Sequence, residues 1–268
     1  MQRPAIQLPA AFTPGWTSLR EETSSRQATG GVRAGAAPER TLTLRLGSVM
    51  GLLWLSALLI VLASAVQDFL IYLAPGAGFT DRIYRLDLDT EASLPTWFSA
   101  SLMLLCALAL LFIAARARQD GLWKAMPWFL LAAMFLALSL DEIATFHEWA
   151  SAALSSRIEN TGLFYFAWAA PALVLCLAGL ACFMPFIVEF KGLDRVLLIG
   201  SAAVFLLGAI GMEMLGGAAA EAGGVNTLHY RVLTTIEESL EYAGLLIFLY
   251  FLLRQVRRSY NETTLRLV

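Results

Sequence analysis

The sequence is poor in charge. Asp, Glu, Lys and Arg make up 15% of its 268 residues, and only two residues are lysine. A soluble domain carries roughly 25% charged residues, so this deficit argues against a water-exposed globular surface. The net charge is −2 and no cluster of basic residues is interleaved with aromatics, which argues against a nucleic-acid partner. We therefore expect the lipid bilayer to be the main partner, and protein partners stay unknown.

Cysteine is scarce as well. Cys106, Cys176 and Cys182 all fall in apolar runs, without the CxxC spacing of a zinc site. An odd number of cysteines makes no complete disulfide framework, so we expect them to be small packing residues.

The N-terminal segment lacks the apolar core of a signal peptide. Residues 1–46 hold scattered Pro, Gly and Arg, and they are predicted to form a disordered cytoplasmic tail. Glu21 and Glu22 argue against a transit peptide. Residues 256–268 are predicted to form a short cytoplasmic C-terminal tail.

Long apolar runs take the place of charge: 58% of the residues are hydrophobic and the mean hydropathy is +0.66. About 20 apolar residues cross the hydrocarbon core of a bilayer as a helix. Lipid cannot hydrogen-bond a bare backbone, so each crossing segment must be helical. The sequence predicts an all-α polytopic bundle with a six-helix transmembrane domain over 47–255. The predicted spans are 48–74, 95–115, 122–140, 163–187, 195–216 and 232–253.

The loops between these spans fall into two sets by charge, which predicts the orientation. The positive-inside rule places loops rich in Arg and Lys in the cytoplasm. One set is consistently basic, whereas Asp and Glu dilute the arginines of the other. The rule predicts a multi-pass protein of a bacterial inner membrane, with cytoplasmic N and C termini and a long outside loop at 75–94. The cytoplasmic residues are Arg40, Arg45, Arg116, Arg118, Lys124, Lys191, Arg195, Arg254, Arg257 and Arg258.

Three predicted spans carry ionisable residues that lipid would not tolerate. The third ends in SLDEIATFHEW, the fifth contains GMEMLGG and the sixth begins with TTIEESLEYAG. A charge at a span centre costs about 2.5–3.5 kcal/mol on insertion scales. These residues are therefore expected to face one another, water or a cation. They are Asp141, Glu142, His147, Glu148, Glu213, Glu237, Glu238 and Glu241.

Depth along the helices predicts that the acids meet. At 1.5 Å per residue, Asp141 lies about 28 Å from the cytoplasmic end of the third span, and Glu213 about 25 Å from that of the fifth. Glu241 lies about 14 Å below the outer end of the sixth span, so all three fall in the outer half of the membrane. A continuous third helix would place Asp141, Thr145 and Glu148 on one face. Small residues would permit close helix approach there: Gly208, Gly211, Gly216, Gly217 and Gly244.

The chemistry of these residues leaves several functions open. Carboxylates with one imidazole suit Zn²⁺, Mn²⁺ or iron, and oxygen-only subsets suit Ca²⁺ or Mg²⁺. Without a metal, crowded carboxylates share protons, which suits proton-coupled movement. Glu148 and Glu238 are the candidates for catalysis. The predicted metal ligands are Asp141, His147, Glu148, Glu213, Glu238 and Glu241.

Several of these residues also have plainer interpretations. Glu142 and Glu148 would be solvated if the third helix simply emerges from the membrane, and His147 would then serve as a structural hydrogen-bonding group. Asp68 and His229 lie near the outer ends of the first and sixth spans, and whether they join the acidic cluster stays open.

The pairing of SLDEIATFHEW with IEESLEYAG, with a Glu-bearing span between them, resembles a group of bacterial polytopic membrane proteins without an established activity. The resemblance covers about residues 45–255 and implies an architecture but no reaction. Three hypotheses follow: a metal-dependent enzyme acting on a lipid-soluble substrate by hydrolysis or redox chemistry, a proton- or cation-coupled transporter or channel, and a non-catalytic subunit or assembly factor.

Overall fold

The computed structural model describes residues 45–157 and 159–260, which form helices and no strand. The predicted all-α class is confirmed for these residues. Most of the predicted N-terminal tail, 1–44, and residues 261–268 of the predicted C-terminal tail lie outside the described residues.

The described chain contains α-helices joined by short turns, and two of them continue into π-helical turns. The π-helical turn Phe69–Leu73 extends the first helix, and Leu207–Met212 links the sixth to the seventh. The α-helices are α1 Leu46–Asp68, α2 Leu94–Ala117, α3 Leu122–Ala144, α4 Phe146–Ser155, α5 Ala169–Glu189, α6 Gly192–Leu206, α7 Glu213–Gly223 and α8 Leu228–Ser259.

Five helical stretches of the described residues are long and apolar enough to cross a membrane, as expected for a membrane protein. They are Leu46–Leu73, Leu94–Asp120, Leu122–Ala144, Ala169–Glu189 and Gly192–Gly223. The remaining predicted span, 232–253, lies within the 32 residues of α8, whose first half carries the glutamates. The fourth predicted span, 163–187, begins too early, because Gly162–Phe164 forms a separate 3-10 turn and α5 begins at Ala169.

The core lies where α2 packs against α8. Leu102, Cys106 and Leu110 recur every fourth residue on α2 and are fully buried against α8. Leu245 and Leu246 of α8 are equally buried. Cys106 is a packing residue, as predicted from its apolar surroundings.

An aromatic cluster fastens the C-terminal end of α5 to α3 and α8. The ring of Trp128 lies 4.9 Å from that of Phe186 and 5.9 Å from that of Phe190. Phe190 in turn lies 5.3 Å from Phe251 of α8. Between its buried residues Ala169 and Phe186 the middle of α5 packs loosely, and Leu175 is 71% exposed. The cavity described below lies beside this stretch.

The third predicted helix does not run on to Glu148. It ends at Ala144, Thr145 adopts a left-handed conformation with φ 53°, and α4 begins at Phe146. The prediction that Asp141 and Glu148 share one face of one helix is therefore wrong. The carboxylate of Asp141 accepts a 3.0 Å hydrogen bond from the backbone N–H of His147, which a continuous helix would direct to a carbonyl. A side-chain bond thus stabilises the break.

The close approach of α6 and α8 depends on Gly244, as its sequence context predicts. A Cβ added to Gly244 would lie 2.6 Å from the backbone nitrogen of Phe205. Because backbone atoms cannot rotate aside, we expect Gly244→Ala to lower the free energy of unfolding by about 1–3 kcal/mol. Thermal unfolding of the purified protein in detergent would measure this loss.

Gly200 of α6 provides the matched control, since a Cβ there meets nothing within 4 Å. Gly200→Ala should instead stabilise the helix by about 0.5–1 kcal/mol. Equal melting temperatures for the two variants would contradict the close approach.

Candidate functional site

A cavity of about 1580 Å³ lies between α3, α5, α6 and α8. Small-molecule sites usually measure about 300–1,000 Å³, so this cavity is large enough for a long ligand. Its two ends differ in chemistry. The apolar end is lined by residues that include Leu131, Phe135, Phe183, Ile187, Leu198 and Phe248. The acidic end is lined by Asp89, Glu91, Asp141, Glu142, His147, Glu148, Glu213, Glu237, Glu238 and Glu241.

The structure brings together eight residues that the sequence singles out, from the end of α3, from α4, from α7 and from α8. Their role as ligands stays a prediction. Two other candidates lie elsewhere. His229 is exposed and does not line the cavity. Asp68 is buried in an ion-pair network beside the cavity, with Arg82 and Arg231.

Three side chains at the rim of the acidic end can reach a common point. Glu91, His147 and Glu148 each offer a ligand atom, and these atoms all lie within 4.8 Å of one another. The Nδ1 atom of His147 is 2.9 Å from a carboxylate oxygen of Asp141, which orients the ring. Burial raises the pKa of Glu91 above its usual range, and the neighbouring carboxylate of Glu148 raises it further.

Deeper in the cavity the acids have few nitrogen neighbours. Glu238 and Glu241 of α8 lie near Glu142 of α3, so their charges interact. Glu213 accepts a 2.8 Å hydrogen bond from the indole nitrogen of Trp168, which joins α7 to the segment before α5. Gly208 lies in the π-helical turn, and a Cβ there would approach the Cγ of Glu241 to 3.0 Å. Glycine at this position therefore leaves room for the side chain of Glu241.

Sequence reasoning missed Glu91. It belongs to the loop between α1 and α2, whose acids were interpreted as outside charges that dilute nearby arginines. Loop residues have no helical period from which a facing direction can be predicted. The only signal was the alternation of Asp87, Asp89 and Glu91 in a short acidic run.

Arg231 of α8 fastens this loop over the cavity. Its guanidinium binds Asp87, lies 2.6 Å from Asp89, and reaches Asp68 of α1 at 3.3 Å. Arg82 adds a second cation, 2.7 Å from Asp68. Arg231 is 4% exposed, so water screens these pairs little.

Side chains of α1 also hold the same loop by hydrogen bonds with its backbone N–H groups. The side-chain oxygen of Gln67 accepts a 2.7 Å hydrogen bond from the N–H of Ile83, and Ser64 accepts one of 3.2 Å from the N–H of Leu88. The hydroxyl of Tyr230 donates to Asp89 at 2.9 Å. Burial raises the pKa of Asp89, although the adjacent Arg231 acts in the opposite direction.

A family model described as a domain of unknown function, DUF8692, matches residues 52–256. The chain belongs to the DUF8692 family. The matched range runs from within α1 to near the end of α8, so the DUF8692 domain includes the cavity and the ion-pair network. No curated protein and no solved structure matches the chain.

The ion-pair network of the DUF8692 domain can be tested at Arg231. Arg231→Met would leave buried aspartates without their main cation, and we expect it to lower the free energy of unfolding by about 3–5 kcal/mol. Arg116→Met is the control, because the pair of Arg116 with Asp120 is exposed and such pairs contribute about 0–1 kcal/mol. Similar chemical-denaturation curves for both variants would show that the network does not hold the loop.

Proposed function

We propose that this is a six-span protein of a bacterial inner membrane that binds a divalent metal ion at the outer, acidic end of its cavity. Both termini lie in the cytoplasm in this proposal. The observation that carries it is the convergence of Glu91, His147 and Glu148, which come from a loop and from α4.

The charge distribution supports the sixth span and the orientation. The second half of α8 is apolar and buried against α2, and it ends in Arg254, Arg257 and Arg258. Its acidic first half faces the cavity instead of lipid. The helix therefore satisfies both the length of a span and the positive-inside rule.

The rim residues fit a transition metal better than Mg²⁺ or Ca²⁺, because one of them is an imidazole. Zinc bonds to nitrogen and oxygen measure about 2.0–2.2 Å, so the ligand atoms of one tetrahedral ion are about 3.3–3.6 Å apart. Ligand atoms within 4.8 Å of one another need only small side-chain rotations to bind one ion. Since Asp141 binds Nδ1 of His147, Nε2 remains for the metal. Zn²⁺, Mn²⁺ and iron all suit this set, and oxygen-only subsets deeper in the cavity suit Mg²⁺ or Ca²⁺.

Metal-assisted hydrolysis or redox chemistry on a lipid-soluble substrate is the reaction class that this arrangement favours. A metal ion held by three protein ligands would polarise a substrate oxygen or activate a water molecule. Glu148 would be occupied as a ligand, so Glu238 is the better candidate for a general base. It lies on the membrane side of the rim and lines the same cavity.

Metal binding by purified protein tests the proposal directly. We expect about one equivalent of Zn²⁺, Mn²⁺ or iron by elemental analysis, and its loss in Glu148→Gln and in Glu91→Gln. Asp141→Asn should weaken the affinity about 10–100-fold, the usual effect of removing a carboxylate that orients a ligating histidine. Competition with a fluorescent chelator would measure these affinities.

Asp81→Asn is the matched control. Asp81 lies in the same loop as Glu91, is exposed and does not line the cavity. The metal content of the variant should therefore equal that of the wild type. A wild-type protein that binds no more metal than Glu148→Gln would refute the proposal.

A second function, proton- or cation-coupled transport, is favoured by the acids below the rim. Glu142, Glu238 and Glu241 lead from the rim toward the apolar end of the cavity. Carboxylates at these depths are typical of ion pathways.

Reconstituted vesicles with an internal pH indicator would test transport. If the acids conduct protons, Glu241→Gln should slow the decay of an imposed pH gradient to the rate of protein-free vesicles. Vesicles with Glu189→Gln, a change at the exposed end of α5, should lose the pH gradient at the wild-type rate. Wild-type vesicles as tight as protein-free ones would exclude proton conduction by these acids. If the variants keep both their metal content and their flux but melt at a lower temperature, a non-catalytic subunit is favoured.

A further inference from the structure

The apolar end of the cavity extends well past the acids. Asp141 and Leu131 both line it on α3, and at 1.5 Å per residue they are about 15 Å apart. On the other wall, Glu213 and Leu198 are about 22 Å apart along the α6–α7 stretch. The cavity therefore has room for an extended hydrocarbon chain that lies along these helices. These lengths equal or exceed the hydrocarbon depth of one leaflet, about half of the 30 Å core.

Positive charge is scarce around the acids. Among the described residues that line the cavity, Arg157 at the end of α4 is the one Arg or Lys. Arg231 and Arg82 are engaged by the three aspartates of the ion-pair network. A metal ion at the rim would compensate Glu91 and Glu148, but it would leave the acids of α8 without a cation.

A buried hydroxyl also lacks a partner at this place. Tyr242 is 1% exposed, its hydroxyl has no hydrogen-bond partner, and its charged neighbours are Glu238, Glu142 and Glu241. Its ring packs on Phe98 of α2 and does not line the cavity, and its hydroxyl supplies no positive charge to these acids.

The cavity is open to the side between α3 and α5. Met134 of α3 and Leu175 of α5 both line it, yet they are 44% and 71% exposed. In a membrane, apolar side chains exposed in this way face lipid. A ligand with a long chain can therefore enter from the bilayer without crossing water.

We infer that the cavity binds a cationic single-chain amphiphile, whose head group lies among Glu142, Glu238 and Glu241 and whose chain occupies the apolar end. The inference rests on the proposed function, because it names the substrate class of the same site. Charge-assisted hydrogen bonds from an ammonium head to carboxylates would supply the specificity, and burial of the chain would supply most of the affinity.

Photo-crosslinking in lipid nanodiscs tests this inference. The probe is hexadecylamine with a diazirine on its terminal carbon, and labelled peptides are identified by mass spectrometry. We expect labels on the lining residues of the apolar end, Phe183, Ile187 and Leu198. Hexadecylamine without the diazirine should compete for the site, whereas hexadecyl sulfate and hexadecanol should not. Glu241→Gln should weaken binding about tenfold, as expected for losing one charge-assisted contact.

Two phenylalanine variants of α6 distinguish the cavity from bulk lipid. Ala202 lines the cavity, so Ala202→Phe should block labelling of the apolar end. Val196 is 65% exposed and does not line it, so Val196→Phe should leave labelling unchanged. Equal labelling of both variants, or equal competition by hexadecyl sulfate or hexadecanol, would overturn the inference.

The two proposals fail separately. If the purified wild-type protein binds no metal but is still labelled at the apolar end, metal binding alone is overturned. Absence of labelling at the apolar end in a protein that binds metal would overturn the amphiphile alone.

Discussion

A carboxylate inside a membrane span has to face protein, water or a cation, because lipid offers it no hydrogen bond and no counter-charge. The arrangement of α8 follows from this constraint. Its acidic first half faces the cavity, and its apolar second half packs on α2. Gly244 of α8 and Gly208 of the π-helical turn bring the neighbouring helices close enough to enclose these acids. π-helical turns are frequent at functional sites, and this one directly precedes Glu213.

Helix α8 also determines the position of the loop between α1 and α2, the predicted outside loop. Six residues before its first glutamate, Glu237, it presents Arg231, which binds aspartates of the loop and of α1. The same helix thus holds the loop that delivers Glu91 and carries the acids beneath it. A change in the position of α8 would move the rim and the deeper acids together, so binding at one is physically linked to the geometry of the other.

Hydropathy and depth counting predicted much of this protein. The apolar runs predicted helices close to those observed, and counting residues along them predicted that acids from separate helices share one level. The remaining features depend on contacts between distant residues. The break at Thr145 follows from a side-chain bond of Asp141 that competes with the helix. Glu91 and Arg231 act through a loop, where no period indicates direction. The sequence leaves open whether Asp68 joins the cluster, and in the structure two arginines bind it instead.

The rim and the deeper acids of the cavity differ in their surroundings, so they favour different cations. The rim contains the one imidazole that lines the cavity among the described residues, and it adjoins the outside loop, so a hydrated metal ion can reach it and find a nitrogen ligand. The deeper acids have oxygen neighbours and an unpartnered tyrosine hydroxyl. Dehydrating a small divalent ion to reach them costs more than admitting a proton or an ammonium group that arrives through lipid. A metal at the rim and an organic cation below it would therefore complement each other.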